Sequence, residues 1–213
     1  MSVDERHVIF DLDGTVIDSR EEIIRTYHLV FQKIIPAKSP DTETINPGAT
    51  LNQVLEAVYE GDHEKARKAK SLFASMYDQS DYLDTTLYAD VVETLAELRK
   101  KGYQLYVATN KRYAPTIRIL QKKKIADYFA GTMASEMEPG TMIEKHQMVA
   151  SLKAKFLFSA GYMVGDMTSD IEAGNKEKLT TIAVTYGYGN KDALRVANPT
   201  FLIDSFKGIL NIL

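Results

Sequence analysis

"VIFDLDGTVIDS", residues 8–19, decides how the rest of the chain is read. An apolar run stops at Asp11 and Asp13, two carboxylates flanking one leucine, and Gly14 and Thr15 follow. The run has the composition of a buried strand. Residues two apart on extended backbone share a face, so both acids would reach the crevice beyond the strand's carboxyl end. Two carboxylates so close repel, and a shared proton or a cation must stabilise them. Gly14 permits a tight departure that a Cβ would hinder. By itself the motif is also compatible with an acidic strand end followed by a turn.

Five more runs of this kind follow. They are "YQLYVAT" (103–109), "GTMAS" (131–135), "GYMVGD" (161–166), "TTIAVT" (180–185) and "TFLID" (200–204). Most are continuous rather than alternating, as in strands covered on both faces. Helical patterns separate them, including "VVETLAELRKKG", "APTIRILQKKK" and "TMIEKHQMVASLKAK". Alternation of strand and helix predicts an α/β fold, a parallel Rossmann-like sheet with helices on both faces. Ligands of such sheets collect at the carboxyl ends of the strands.

Residues 19–85 break the rhythm. "SREEIIRTYHLVFQKII" opens with Ser19 and Glu22 at capping-box spacing, and Thr50 and Gln53 repeat the pattern. "DHEKARKAKSLFASMYDQS" adds a third helical stretch. The reading is a helical insertion at 19–85 within a discontinuous core domain, 1–18 and 86–213.

Other strand ends carry chemistry-bearing residues. "VATN" ends at Thr109 and Asn110, and "VGDMTSD" contains Asp166 and Asp170. Lys145 lies in the helical segment between these two strands, with Lys153 and Lys155 as alternatives. Singly, Thr109 suits a helix N-cap, Asp166 a turn, and Lys145 a solvated helix face. Jointly, they fall at one edge of one sheet.

Bulk properties narrow the classes. The 213-residue chain is 45% hydrophobic, enough for a sizeable core. A net charge of −3 and a pI near 5.9 give no basic field for nucleic acid or an anionic membrane. The absence of cysteine excludes disulfides, thiolate catalysis and Cys-ligated metals. No signal peptide and no span of about 20 apolar residues is evident, which predicts a cytoplasmic protein without membrane partners. The histidines His7, His28, His63 and His146 lack metal-ligand spacing. Oligomeric state has no signature.

With these motifs in place, the chain resembles the haloacid dehalogenase superfamily, in its phosphatase branch with a helical cap. "DLDGT" matches the first motif, "VATN" the second, Lys145 the third and "VGDMTSD" the fourth. The resemblance spans nearly the whole chain. Residues 88–111 and 182–189 also look like the phosphoglycolate-phosphatase-like subgroup. There are departures: no proline follows Lys145, and Ala89-Asp90 stands where many relatives have Pro-Gly.

The resemblance implies a Mg²⁺-dependent phosphatase for small phosphomonoesters, phosphoglycolate among them. Asp11 would attack phosphorus and Asp13 would act as acid and then base. Asp11, the backbone carbonyl of Asp13, and Asp166 would hold the metal. Lys145, Thr109 and Asn110 would bind the phosphoryl group. Asp170 would stand behind them, orienting Lys145 or a metal-bound water. The insertion would close as a lid, with "INPGATLNQ" around Gly48 reading the leaving group, although an ordinary helix connector fits that loop equally well. Arg20 and Arg25 would meet a leaving-group carboxylate if they face inward; both are otherwise solvated. A phosphosugar mutase of the same family is the nearest alternative, but it needs cations in that loop, which has none. A turnover-deficient binding protein with the same fold is the other alternative.

Overall fold

A computed structural model of the chain describes residues 6–34, 51–59, 61–137 and 141–213; the side chains of residues 51, 52, 56 and 57 are not described. Gly48 and most of "INPGATLNQ" lie outside the described residues. Two compact units result, Met1–Asp18 with Leu87–Leu213, and Ser19–Thr86.

The first unit is built on six parallel strands: β1 (His7–Phe10), β4 (Gln104–Thr109), β5 (Phe129–Ala134), β6 (Tyr162–Gly165), β7 (Thr180–Val184) and β8 (Phe201–Ile203). Two short strands, β2 (Ile17–Asp18) and β3 (Thr86–Leu87), form a separate ladder where the chain leaves and rejoins this unit. The six-stranded order is β5-β4-β1-β6-β7-β8, and every pairing is parallel. After β1 the chain builds outward through β4 and β5, then returns to β1's other side and builds outward through β6, β7 and β8. β1 is therefore the strand at which direction reverses, and its carboxyl end opens onto the crevice where such sheets bind ligands.

The continuous apolar runs have a simple cause: Val8, Ile9 and Phe10 are all fully buried, because both sheet faces are covered. Ile9, Tyr106, Ala108 and Met163 face α6 (Lys145–Phe156) and α7 (Thr168–Lys176), meeting Met148, Val149, Leu152 and Ala173. On the opposite face Phe10 packs on Phe206 and Phe129, at ring separations of 5.6 and 6.2 Å. That face is covered by α4 (Val91–Lys100) and the 3-10 segment Phe206–Asn211. The remaining helices of this unit are α5 (Tyr113–Lys122) and α8 (Lys191–Val196).

The second unit contains α1 (Arg20–Ile34), α2 (Leu51–Tyr59) and α3 (His63–Gln79). Tyr27, Phe31, Phe73, Tyr77 and Tyr82 stack into an aromatic core. α1 begins directly after Ser19, where the Ser19–Glu22 spacing puts a helix start, and the Glu22 side chain has further partners. It is fully buried, and its carboxylate accepts hydrogen bonds from the Ser80 hydroxyl, the Asp84 N–H (3.1 Å) and Arg25 (2.7 Å). Local spacing cannot anticipate partners some sixty positions away.

Candidate active site

Three adjacent strand ends, those of β4, β1 and β6, bring the chemistry-bearing residues together. Asp11 follows β1, and its N–H donates to Val164 C=O at 2.9 Å, which fixes it at the sheet edge. Thr109 ends β4, and Asp166 follows β6. Lys145 is the first residue of α6, where a capping box between Glu144 and Gln147 fixes the helix start. A lysine there opposes the helix dipole, and it is also buried. Nearby carboxylates offset both costs. Its ammonium donates to Asp11 Oδ1 at 2.5 Å and to Ala108 C=O at 2.9 Å. It also lies 2.9 Å from Asp170 Oδ1, an ion pair without hydrogen-bond alignment. The rival lysines are elsewhere: Lys153 donates to Glu177 C=O at 2.6 Å, and the Lys155 ammonium is 5.4 Å from the centre of the Phe156 ring.

Asp11, Asp166 and Asp170 are buried, and each offers a carboxylate oxygen within 4.8 Å of the others. Asp170 also lies against Lys145, the residue it is expected to orient. Its Oδ2 accepts from Met167 N–H at the start of α7. Asp166 is held by the Thr15 hydroxyl (3.1 Å) and the Tyr188 N–H (2.7 Å). Gly14 is needed for two reasons. It has φ +80°, and a Cβ there would come 2.3 Å from Asp166 Oδ2.

The electrostatics follow from three acids sharing one lysine. Burial raises the Asp11 carboxyl well above the ordinary range; Lys145 opposes this, and Asp170 and Asp166 add to it. Burial and then Asp170's charge push Asp166 up to about 7, against the Tyr188 and Thr15 hydrogen bonds. Burial alone would lower Lys145, but Asp11 and Asp170 outweigh it and hold the ammonium above the ordinary lysine range. Such a cluster fits a hard divalent cation: its donors are carboxylate oxygens, and Asp170 Oδ1 is buried without a hydrogen-bond partner.

Asp13 behaves differently from its neighbour. The backbone is no longer extended after Leu12, whose C=O accepts from the N–H groups of Thr15, Val16 and Ile17. Rather than joining the three acids, Asp13 pairs with Lys111 at 3.1 Å. The two aspartates are each matched to their own lysine. Lys111 directly follows "VATN" but belongs to no motif that marks it; its position just past a strand end is the available signal. Thr15 and Tyr188 were likewise missed as holders of Asp166. Asn110 is exposed, and its C=O accepts from the Ser135 hydroxyl at 2.7 Å. Arg20 is exposed, and Arg25 is committed to Glu22 and Asp84. Among the described residues, no helix is long and apolar enough to cross a membrane.

Known proteins resemble this chain over most of its length. A phosphoglycolate phosphatase from Vibrio parahaemolyticus is 29% identical over 98% of this chain and 96% of its own length. A 5'-nucleotidase from Pseudomonas aeruginosa is 27% identical, covering 91% of this chain and 89% of its own. A phosphatase candidate from Clostridium difficile, with a crystal structure, superposes over the full length of both chains with a TM-score of 0.89 and 26% identity. The model of the haloacid dehalogenase-like hydrolase family matches residues 8–184, and the chain belongs to that family.

Proposed function

We propose that the chain hydrolyses small phosphomonoesters, phosphoglycolate-like ones among them, with Mg²⁺ and through an aspartyl-phosphate. It is a phosphoric monoester hydrolase. The observation that carries this reading is the convergence of three buried carboxylates on one buried lysine at adjacent strand ends. The phosphoglycolate phosphatase and 5'-nucleotidase relatives support a phosphomonoester substrate.

Asp11 attacks phosphorus, and the bond to the leaving oxygen breaks. Asp13 gives that oxygen a proton, then takes one from the water that attacks the phosphorylated Asp11 and releases phosphate. Lys145 remains an ammonium throughout and neutralises the phosphoryl oxygens beside Asp11. The Thr109 hydroxyl and the Asn110 N–H orient the phosphoryl group. Asp11 and Asp166, with Asp170 beside them and the Asp13 backbone carbonyl, would hold Mg²⁺. When bound, the cation supplies the positive charge that lets these acids ionise together beside an anionic substrate. The buried ammonium and fixed dipoles offer no reorganisation cost at the moment of transfer.

The test is hydrolysis of p-nitrophenyl phosphate and then of a panel of small esters, each with Mg²⁺ and with chelator. Metal-dependent turnover with the highest kcat/KM on a small ester is expected. Turnover that survives complete chelation, or a preference for a phosphopeptide or polynucleotide end, would overturn the reading.

A further inference from the structure

We propose that Lys111 recognises a carboxylate on the leaving group, attached to the carbon next to the ester oxygen. This rests on the phosphatase reading and names a specificity residue that its motifs do not contain.

Lysine side chains are rarely buried unless paired. That of Lys111 is only 8% exposed, and it is held at the site from both ends. Its N–H donates to the Thr109 hydroxyl at 3.2 Å. Its C=O accepts from Ser135 N–H at 3.2 Å and from the Ser135 hydroxyl at 3.4 Å. The end of β5 therefore fixes its backbone just beyond the end of β4. At the other end, the ammonium lies 3.1 Å from Asp13 Oδ1.

That distance locates the cation relative to substrate. In the proposed reaction Asp13 passes its proton to the leaving oxygen, so the two must be in hydrogen-bond contact. An ammonium in contact with the same carboxylate stands beside the leaving group. A substituent on the carbon bonded to the leaving oxygen is the first part of the alcohol it can meet. A carboxylate there is a matched anion, and a charge-assisted contact rewards it.

The two buried lysines then divide the substrate. Lys145 is committed to Asp11, Asp170 and Ala108, which places it on the phosphoryl side. Lys111 serves the alcohol side. An arginine in the helical unit is not needed for this recognition, and Arg25 has its own partners.

The deciding experiment is steady-state kinetics of the full chain with Mg²⁺. Two esters are compared: 2-phosphoglycolate, and 2-hydroxyethyl phosphate, which is uncharged at that end. The wild type should favour phosphoglycolate by about 10- to 100-fold in kcat/KM, the range of one charge-assisted hydrogen bond. Lys111→Met should reduce the preference to about threefold or less, chiefly through KM for phosphoglycolate, and Lys111→Arg should restore much of it. If Lys111→Met slows both esters equally, or neither, the proposal is wrong; an equal loss would mean that Lys111 only positions Asp13. The wild type provides a readout that does not depend on a variant folding. Moving the carboxylate one methylene further from the ester oxygen should remove most of the preference, and equal turnover of the two carboxylates overturns the proposal. Wild-type turnover without preference removes this proposal and leaves the phosphatase reading standing. No turnover of any ester removes both.

Discussion

Glu22 in the helical unit and Asp11 at the sheet edge are both buried carboxylates, but they are supplied with donors in opposite measure. Glu22 receives a hydroxyl, a backbone N–H and a guanidinium, so burial leaves its charge satisfied. Asp11 shares one ammonium with Asp170 and lies close to Asp166 as well. The first arrangement ties the beginning of α1 to the segment after α3, joining distant parts of one unit. The second gathers more acids than cations in a buried site, which a folded protein tolerates where chemistry uses it. Donor supply, rather than burial, separates the structural carboxylate from the proposed nucleophile.

The sharpest break in this comparison is Asp11→Asn. The amide is nearly isosteric but cannot attack phosphorus. Turnover should fall by more than about 10³-fold. The melting temperature should hold or rise, because one of three crowded acids is gone. Phosphatase assays and thermal melts check both. Activity within tenfold of wild type would remove the nucleophile assignment.

Glu22→Ala should do the reverse. Removing the anion leaves the Ser80 hydroxyl and the Asp84 N–H without their shared acceptor and takes one partner from Arg25, at a cost of about 1–3 kcal/mol for buried donors left unsatisfied. Chemical denaturation measures it, and hydrogen exchange should place the loss in α1 and residues 80–84. A cost below about 1 kcal/mol would mean that the cluster contributes no more than a surface ion pair.

The two clusters also differ in how far the sequence disclosed them. The strand ends were legible because continuous apolar runs mark buried parallel strands, and their carboxyl ends share one edge. That logic leads to Asp11, Thr109 and Asp166 as neighbours, whereas Lys145, at a helix start, was singled out by the family resemblance. It could not orient Asp13, because the turn after Leu12 ends the alternation on which the shared-face argument depends. Nor could it find Lys111, since a lysine after a strand reads as solvated until β5 is seen to clamp its backbone. In the helical unit, two of the three helices followed from capping-box spacing and the third from its helical pattern. The Ser19–Glu22 spacing marked the start of α1 but could not disclose the partners of Glu22 at 80 and 84.

Donor shortage should also appear as a pH dependence of stability. The folded-state value of Asp166 is raised to about 7 from the ordinary carboxylate range. A raised carboxyl stabilises the fold below its unfolded value, and that contribution is lost as pH rises through the folded one. Asp11 shifts in the same direction. Metal-free protein should therefore lose roughly 5 °C in melting temperature between pH 5.5 and pH 8. Saturating Mg²⁺ should reverse the trend, because ligation favours the ionised acids. Asp166→Asn should flatten the metal-free profile. A metal-free melting temperature that rises over this window would contradict the charge excess.

The smallest effect belongs to Arg25→Ala, which tests whether Glu22 depends on its neutral donors or on its cation. The Arg25 side chain is 52% exposed, and its contacts to Glu22 and Asp84 are 2.7 and 3.1 Å. Water screens a half-exposed guanidinium, so the pair is worth at most about 1 kcal/mol. The Ser80 hydroxyl and the Asp84 N–H still satisfy both Glu22 oxygens when the arginine is gone. Thermal melts should show a drop of no more than about 4 °C, short of Glu22→Ala. Discrimination between phosphoglycolate and 2-hydroxyethyl phosphate should stay within about twofold, since one lost contact must matter in the transition state to change it. A loss as large as that of Glu22→Ala would make the guanidinium the essential partner and weaken the contrast between the clusters. A change in ester preference would instead give Arg25 the leaving-group role assigned to Lys111.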